Sequence, residues 1–252
     1  MTTMSELATS FNAIAAEYDA ARPAYPPALY DAVEELTGRP LAGSAVLDVG
    51  AGTGKGSRPL RERGARVVAA EPGAGMAAQF RAALPGVPLV RGSGDALPFA
   101  AGSFDLVTYA QAWHWTDPAR SVPEALRVLR PGGALALWWN VRDRSVRWAA
   151  EQERRLLERL REFHREDITA TAPALVRGLG LGLAPSYREV GWSRTVPLAT
   201  HMANLATHSW FAVLDSAQAR PILADEEEAV RAEFPDGQVT EQYTVRLTVV
   251  PR

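Results

Sequence analysis

The chain has 252 residues, a net charge of −2 and no cysteine. Its length suits one large domain, or one domain with a lid. The missing thiol excludes disulfides, thiolate nucleophiles and zinc–thiolate sites. The near-balanced charge argues against a protein built to grip a phosphate backbone.

Residues 5–20 carry Leu7, Phe11, Ile14, Ala15 and Tyr18 at helical spacing. Pro23, Pro26 and Pro27 break that helix, and a second helix over 27–37 ends at Gly38. Ala45 to Val49 is a short apolar run closed by glycines, as suits a buried parallel strand. A helix over 55–63 follows, then a strand from Arg66 to Glu71 and a helix from Gly75 to Leu84. Val87–Val90 and Phe104–Ala110 read as the third and fourth strands, and 118–130 as a helix. Pro131-Gly132-Gly133 turns into a fifth strand, Ala134–Trp139. Strand–helix alternation at this spacing predicts βαβ units and a parallel sheet covered on both faces.

Past Asn140 the regularity fades. Residues 145–166 form a charged helical stretch, laced with i,i+4 pairs of mixed sign. Residues 170–186, rich in Gly, Ala, Leu and Pro, read as a mobile stretch. Tyr187–Leu198 and Val239–Val249 read as strands, with helices over 199–215 and 221–233 between them. In the last strand Glu241, Tyr243, Val245, Leu247 and Val249 alternate with polar residues, which suggests an antiparallel strand at a sheet edge. The N-terminus has no basic segment followed by an apolar run, and no apolar stretch reaches about 18 residues. A cytoplasmic protein without a membrane partner is expected.

The segment Asp48-Val49-Gly50-Ala51-Gly52-Thr53-Gly54 closes the first strand. Glycines there let the backbone turn sharply and approach a ligand, while the following helix aims its N–H groups at it. A dinucleotide fingerprint requires Gly-x-Gly-x-x-Gly, but Lys55 or Ser57 stands where the third glycine belongs. Gly54-Lys55-Gly56 does not complete a P-loop either. A ligand-free tight turn remains the plain alternative.

The observed Asp-x-Gly-x-Gly-x-Gly resembles motif I of class I S-adenosylmethionine (SAM) dependent methyltransferases. Glu71, ending the second strand, is placed to accept both ribose hydroxyls, although a solvated acid would look the same in sequence. Met76 matches the residue that packs on adenine in that family, or is an ordinary core methionine. Gly92 to Phe99 resembles the family segment in which an acid, here Asp95, accepts the adenine amino group and the next N–H, of Ala96, reaches a ring nitrogen. Phe104–Val107 and Leu129–Gly133 resemble the family's fourth strand and the turn before its fifth. The resemblance covers about residues 9–142. It implies cofactor contacts from Asp48, Gly50, Ala51, Gly52, Thr53, Glu71, Pro72, Met76, Asp95, Ala96 and Gln111.

Two segments narrow the family. Ala16 to Pro26 and Ala110-Gln111-Ala112-Trp113-His114-Trp115 resemble the trans-aconitate methyltransferase-like group of small-molecule enzymes. In that group the N-terminal segment folds over the cofactor, which implies Tyr18 and Arg22 near its methionine end. The stretch after strand four faces the reactive methyl, which implies an acceptor pocket from Tyr25, Trp113, His114, Trp115 and Trp210. Tryptophans replace the phenylalanines common there and would reshape that pocket. His114 is the candidate general base, or else a ring that orients its loop. His208 is a weaker candidate, and His164 and His201 read as ordinary surface or helix residues. The four histidines have no metal-ligand spacing, so no metal is expected.

The expected fold is a Rossmann-like α/β domain. It has a seven-stranded, mostly parallel sheet with an antiparallel edge strand, an N-terminal helical flap and a helical insertion after strand five. One domain over 1–252 is expected: flap 1–40, cofactor half 41–142, acceptor and C-terminal half 143–252. The expected function is methyl transfer from SAM, by direct displacement, to O, N or C of a small-molecule acceptor, a carboxylate or a secondary metabolite, leaving S-adenosylhomocysteine, in a monomer or homodimer. The alternatives are a SAM-fold enzyme of different chemistry, such as cyclisation or aminopropyl transfer, or a non-catalytic SAM-binding module.

Overall fold

The computed structural model describes residues 15–160, 167–212 and 214–252. The expected start of the first helix and His164 lie outside them. Helices α1 (Ala15–Ala21) and α2 (Pro27–Thr37) come first. Proline opens α2, where the missing N–H has no helical partner to lose. Leu29, Tyr30, Ala32 and Val33 supply its buried face. Then follow β1 (Ala45–Val49), α3 (Ser57–Glu62), β2 (Arg66–Ala70), α4 (Ala74–Ala83), β3 (Leu89–Val90) and β4 (Phe104–Ala110). A short 3-10 turn (Trp113–Trp115) leads to α5 (Pro118–Val128) and β5 (Leu129–Arg142). The later elements are α6 (Arg147–Arg159), α7 (Ile168–Gly178), β6 (Ser186–Pro197), α8 (Leu198–Ala206), α9 (Ser209–Ala212), α10 (Ser216–Glu233) and β7 (Gln238–Pro251).

Seven strands hydrogen-bond in the order β3-β2-β1-β4-β5-β7-β6. Strands β3, β2, β1, β4 and β5 pair in parallel. β7 runs against β5: Asp143 N–H donates to Gln242 O, and Arg252 N–H to Gly133 O, so numbers fall along one strand as they rise along the other. The mixed, mostly parallel sheet is the one expected, but the antiparallel strand β7 lies one position in, and β6 forms the edge. Two other boundaries differ. β5 begins at Leu129, because Leu129 already pairs with Phe104 before a register shift restores pairing at Leu106 and Ala134. Residues 168–178 form a helix instead of a mobile stretch. Asp167 caps it, accepting from Thr169 N–H, and Ala172, Pro173 and Val176 are buried.

The chain divides into two compact units. The larger comprises residues 24–140, 167–190 and 245–252, and the smaller comprises 1–23, 141–166 and 191–244. The larger core is built from the strands β1, β2, β4 and most of β5 with Leu29, Leu60, Phe80 and Val122 from the helices, all fully buried. In the smaller unit Trp148, Ala149, Leu198, Val230 and Val239 form one cluster, and Leu156, Leu160, Leu205 and Phe211 another. Among the described residues no helix is long and apolar enough to cross a membrane.

Candidate cofactor site

The loop between β1 and α3 lies in the larger unit, with every expected cofactor residue except Tyr18 and Arg22. Gly50 has φ +66°, and a Cβ there would stand 2.4 Å from Ala112 Cβ. Backbone conformation and lack of room both demand glycine. Gly52 also has a positive φ, +56°, but a Cβ on it would meet nothing closer than 4.0 Å. The loop is therefore packed against the segment just past β4 on one side and open at Gly52. Gln111, just past β4, is the one described non-glycine residue with positive φ, 55°. Its N–H donates to Trp138 O at 2.8 Å, which holds this strained residue beside the loop.

Glu71 follows β2 and is buried, 6% exposed. One carboxylate oxygen accepts from Gly52 N–H at 2.8 Å and the other from Gly73 N–H at 2.7 Å. The acid thus ties the glycine loop to the start of α4. Each oxygen keeps capacity for one more donor. Burial raises its pKa, against the lowering effect of the two N–H bonds. Asp48 differs from expectation: it does not face a ligand. It is fully buried at the end of β1, with its oxygens accepting from Ser57 Oγ at 2.6 Å and Thr108 Oγ1 at 2.9 Å. It braces the loop from beneath.

Asp95 lies after β3, and one of its oxygens accepts from Asp117 N–H at 3.0 Å, fixing the start of α5. Ala96 N–H donates to Ser93 O at 3.2 Å. Met76 is buried in α4, Ala51 and Thr53 are buried in the loop, and Pro72 is exposed.

The residues expected around the acceptor divide. Trp113 is fully buried and its indole donates to Ser121 Oγ at 3.0 Å, so it belongs to the core and offers no wall to a pocket. His114 and Trp115 keep partial exposure, with ring centroids 4.5 Å apart. Trp139 donates its indole N–H to His114 Nδ1 at 3.0 Å. An indole nitrogen only donates, so the neutral imidazole carries its proton on Nε2. The ring's lone pair is then engaged by Trp139, which opposes a base and favours an N–H donor. Tyr25 meets the buried Trp138 edge-on at 5.9 Å.

Tyr18, Arg22 and Trp210 belong to the smaller unit. Arg22 donates to Thr207 Oγ1 at 2.9 Å and Thr207 O at 3.0 Å and lies over the Tyr18 ring. Trp210 packs against the cluster of Leu156, Leu160 and Phe211. His201, expected to be an ordinary surface or helix residue, is fully buried, because its partner is Glu241 on the inward face of β7. The alternation of the last strand places Glu241 on the inward face, but nothing in the sequence names His201 as its partner. Burial pushes His208 well below the usual histidine range, helped by Arg22 and Arg142.

Strand order and the glycine turn after β1 define the class as a Rossmann-like α/β protein. A family profile described as a methyltransferase domain matches residues 47–137. An uncharacterised methyltransferase of Mycobacterium tuberculosis is 46% identical over 146 residues, 58% of this chain and 58% of that protein. A methyltransferase-like protein of Schizosaccharomyces pombe is 34% identical over 176 residues, 69% of this chain and 67% of the relative. A solved structure from Anaeromyxobacter dehalogenans, described as a candidate type II methyltransferase, superposes with a TM-score of 0.68 at 26% identity, covering 91% of this chain and 97% of that one. The chain belongs to the methyltransferase family. Its match spans 58% of the length of the mycobacterial relative.

Proposed function

We propose that this chain transfers a methyl group from SAM to O, N or C of a small-molecule acceptor. The observation that carries the reading is Glu71: a buried acid after β2, bonded to Gly52 N–H and Gly73 N–H with an acceptor site left on each oxygen, beside a loop open at Gly52. On this reading Glu71 accepts the ribose hydroxyls and the Gly50–Thr53 backbone passes close to the cofactor. The oxygen of Asp95 not used by Asp117 accepts the adenine amino group. Pro72, Met76, Ala96 and Gln111 take the places that the family resemblance gives them. The cofactor supplies an electrophilic methyl on a sulfonium. The chain's part is to align the acceptor and exclude water, and orientation of this kind is worth ~7–11 kcal/mol in favourable systems.

His114 lies beside Trp115 and helps to position the acceptor, with Tyr25. The likeness of Ala16–Pro26 and Ala110–Trp115 to trans-aconitate methyltransferase-like enzymes supports a small acceptor. Calorimetry tests the reading: SAM and its demethylated product are both expected to bind. Failure of both at about millimolar concentration, roughly −4 kcal/mol, overturns it. Mass spectrometry of acceptors incubated with SAM then separates methylation, which adds one CH2, from cyclisation, which adds none.

A further inference from the structure

The turn between α7 and β6 differs from the rest of the described surface. Leu175, Leu181 and Tyr187 are 40%, 46% and 42% exposed, and no other large apolar side chain among the described residues is exposed to that degree. All three lie within residues 175–187, a run that also holds Leu179 and Leu183, both half-buried. Helix α7 turns Ala172, Pro173 and Val176 inward, which leaves Leu175 on its outer side. A Cβ added at Gly178, Gly180 or Gly182 would meet no atom within 4 Å, so the chain stands clear of its surroundings there. Leucines gathered on a protruding turn mark a contact surface.

Charge narrows the partner. Between Asp167 and Glu189 the chain carries Arg177 and Arg188 and no acid. The two flanking acids share Arg246, at 2.8 Å and 3.5 Å. Arg188 pairs with Glu35. Arg177 is exposed in the last turn of α7 and has no acidic partner among the described residues. The turn thus joins apolar side chains, a tyrosine and a free cation, the set that suits a lipid headgroup boundary. A second copy of the chain fits less well. The exposed parts of three side chains fall far below the ~800 Å² per partner of a stable dimer, and a symmetric contact would bring like charges together.

The fold sets this turn away from the cofactor loop. β6 runs against β7, since Glu189 pairs with Arg246 while Leu198 N–H donates to Gly237 O. Arg252 N–H, just past β7, donates to Gly133 O near the start of β5. The start of β6 therefore lies where the parallel strands begin, whereas residues 50–54 follow the end of β1.

We propose that the α7–β6 turn seats the chain on an anionic lipid bilayer, with Leu175, Leu181 and Tyr187 at the headgroup boundary and Arg177 against the lipid anions. The contact lies on the membrane surface and does not depend on the cofactor.

The test sediments the full chain with vesicles of phosphatidylcholine and phosphatidylglycerol, and with vesicles of phosphatidylcholine alone. Wild type is expected to pellet with the mixed vesicles, to bind phosphatidylcholine about fivefold more weakly, and to be released by salt. Leu175→Ser combined with Leu181→Ser should weaken binding about tenfold or more, and Arg177→Gln about fivefold. These side chains are exposed, so both variants should keep the Tm of wild type. The proposal is overturned if wild type stays in the supernatant with mixed vesicles, if either variant binds as wild type does, or if lipid charge makes no difference. Analytical ultracentrifugation addresses the other occupant: a wild-type dimer that the double variant converts to monomer gives the turn to a second copy, and overturns the proposal too. SAM calorimetry on the same wild-type sample keeps the two readings apart. SAM binding without vesicle binding sinks only this one, and vesicle binding without SAM binding sinks only the other.

Discussion

Asp48→Asn tests the claim that the cofactor loop stands on a buried acid. Burial raises the Asp48 pKa from its ordinary 3.8 to about 6, despite the opposing hydrogen bonds from Ser57 and Thr108, and Glu71 adds a smaller upward push. At about 1.4 kcal/mol per pH unit, keeping that carboxylate ionised costs the fold about 3 kcal/mol at neutral pH. The sign follows from proton counting. The unfolded chain loses this proton near pH 4 and the folded chain near pH 6, so between them the folded state holds the extra proton. Stability from this group is present below about pH 4 and is lost as pH rises through 6. Asparagine is nearly isosteric, accepts from one hydroxyl and donates to the other, and does not titrate. Urea unfolding of both proteins without ligand, followed by tryptophan fluorescence, gives the difference directly, and titrations common to both cancel. The advantage of Asn over Asp should grow by about 3 kcal/mol from pH ~4 to pH ~7 and then level off. A constant difference, or one that shrinks with pH, refutes the account of the loop's support.

Glu71→Gln replaces one acceptor oxygen with an NH2 that faces a backbone N–H, and SAM affinity measured by calorimetry should fall by ~1–3 kcal/mol. Unchanged affinity removes the ribose from Glu71. Arg155→Met strands Glu226, whose side chain is 2% exposed and accepts two bonds at 2.8 Å from Arg155. Loss of a buried partner costs about 3–5 kcal/mol in chemical unfolding. Arg154→Met breaks a pair with Glu158 in which both side chains are more than half exposed, and should cost at most about 0.5 kcal/mol. Equal losses in the two variants would show that burial does not set the difference.

Elements whose cause is local were legible in the sequence. α2 lies between an opening proline and a closing glycine, and β1 and β4 are apolar runs that match their expected bounds at 45–49 and 104–110. The turn after β1 was legible because its glycine spacing is itself the geometric requirement: Gly50, Gly52 and Gly54 all have positive φ. Elements set by distant partners were not. Leu129 joins β5 because Phe104 is across from it, and nothing within Leu129–Gly133 announces that pairing. The burial of Trp113 depends on Ser121 and Trp139, and the tautomer of His114 on Trp139, which stands 25 positions away. Glu241 and His201 meet across 40 positions.

The two fully buried acids show why composition and even burial fall short of chemistry. Asp48 and Glu241 are both 0% exposed, yet Asp48 titrates near 6 and Glu241 near 2. Burial pushes both upward. The difference lies in the partners. Asp48 has only two hydroxyls, which stabilise a neutral acid almost as well as an anion. Glu241 has the His201 hydrogen bond and the charges of Arg142 and Arg194, which favour the anion alone. The glycine loop is therefore braced by an acid whose ionisation is opposed by its burial. The smaller unit instead fixes an anion, because its buried acid lies among two arginines and a histidine.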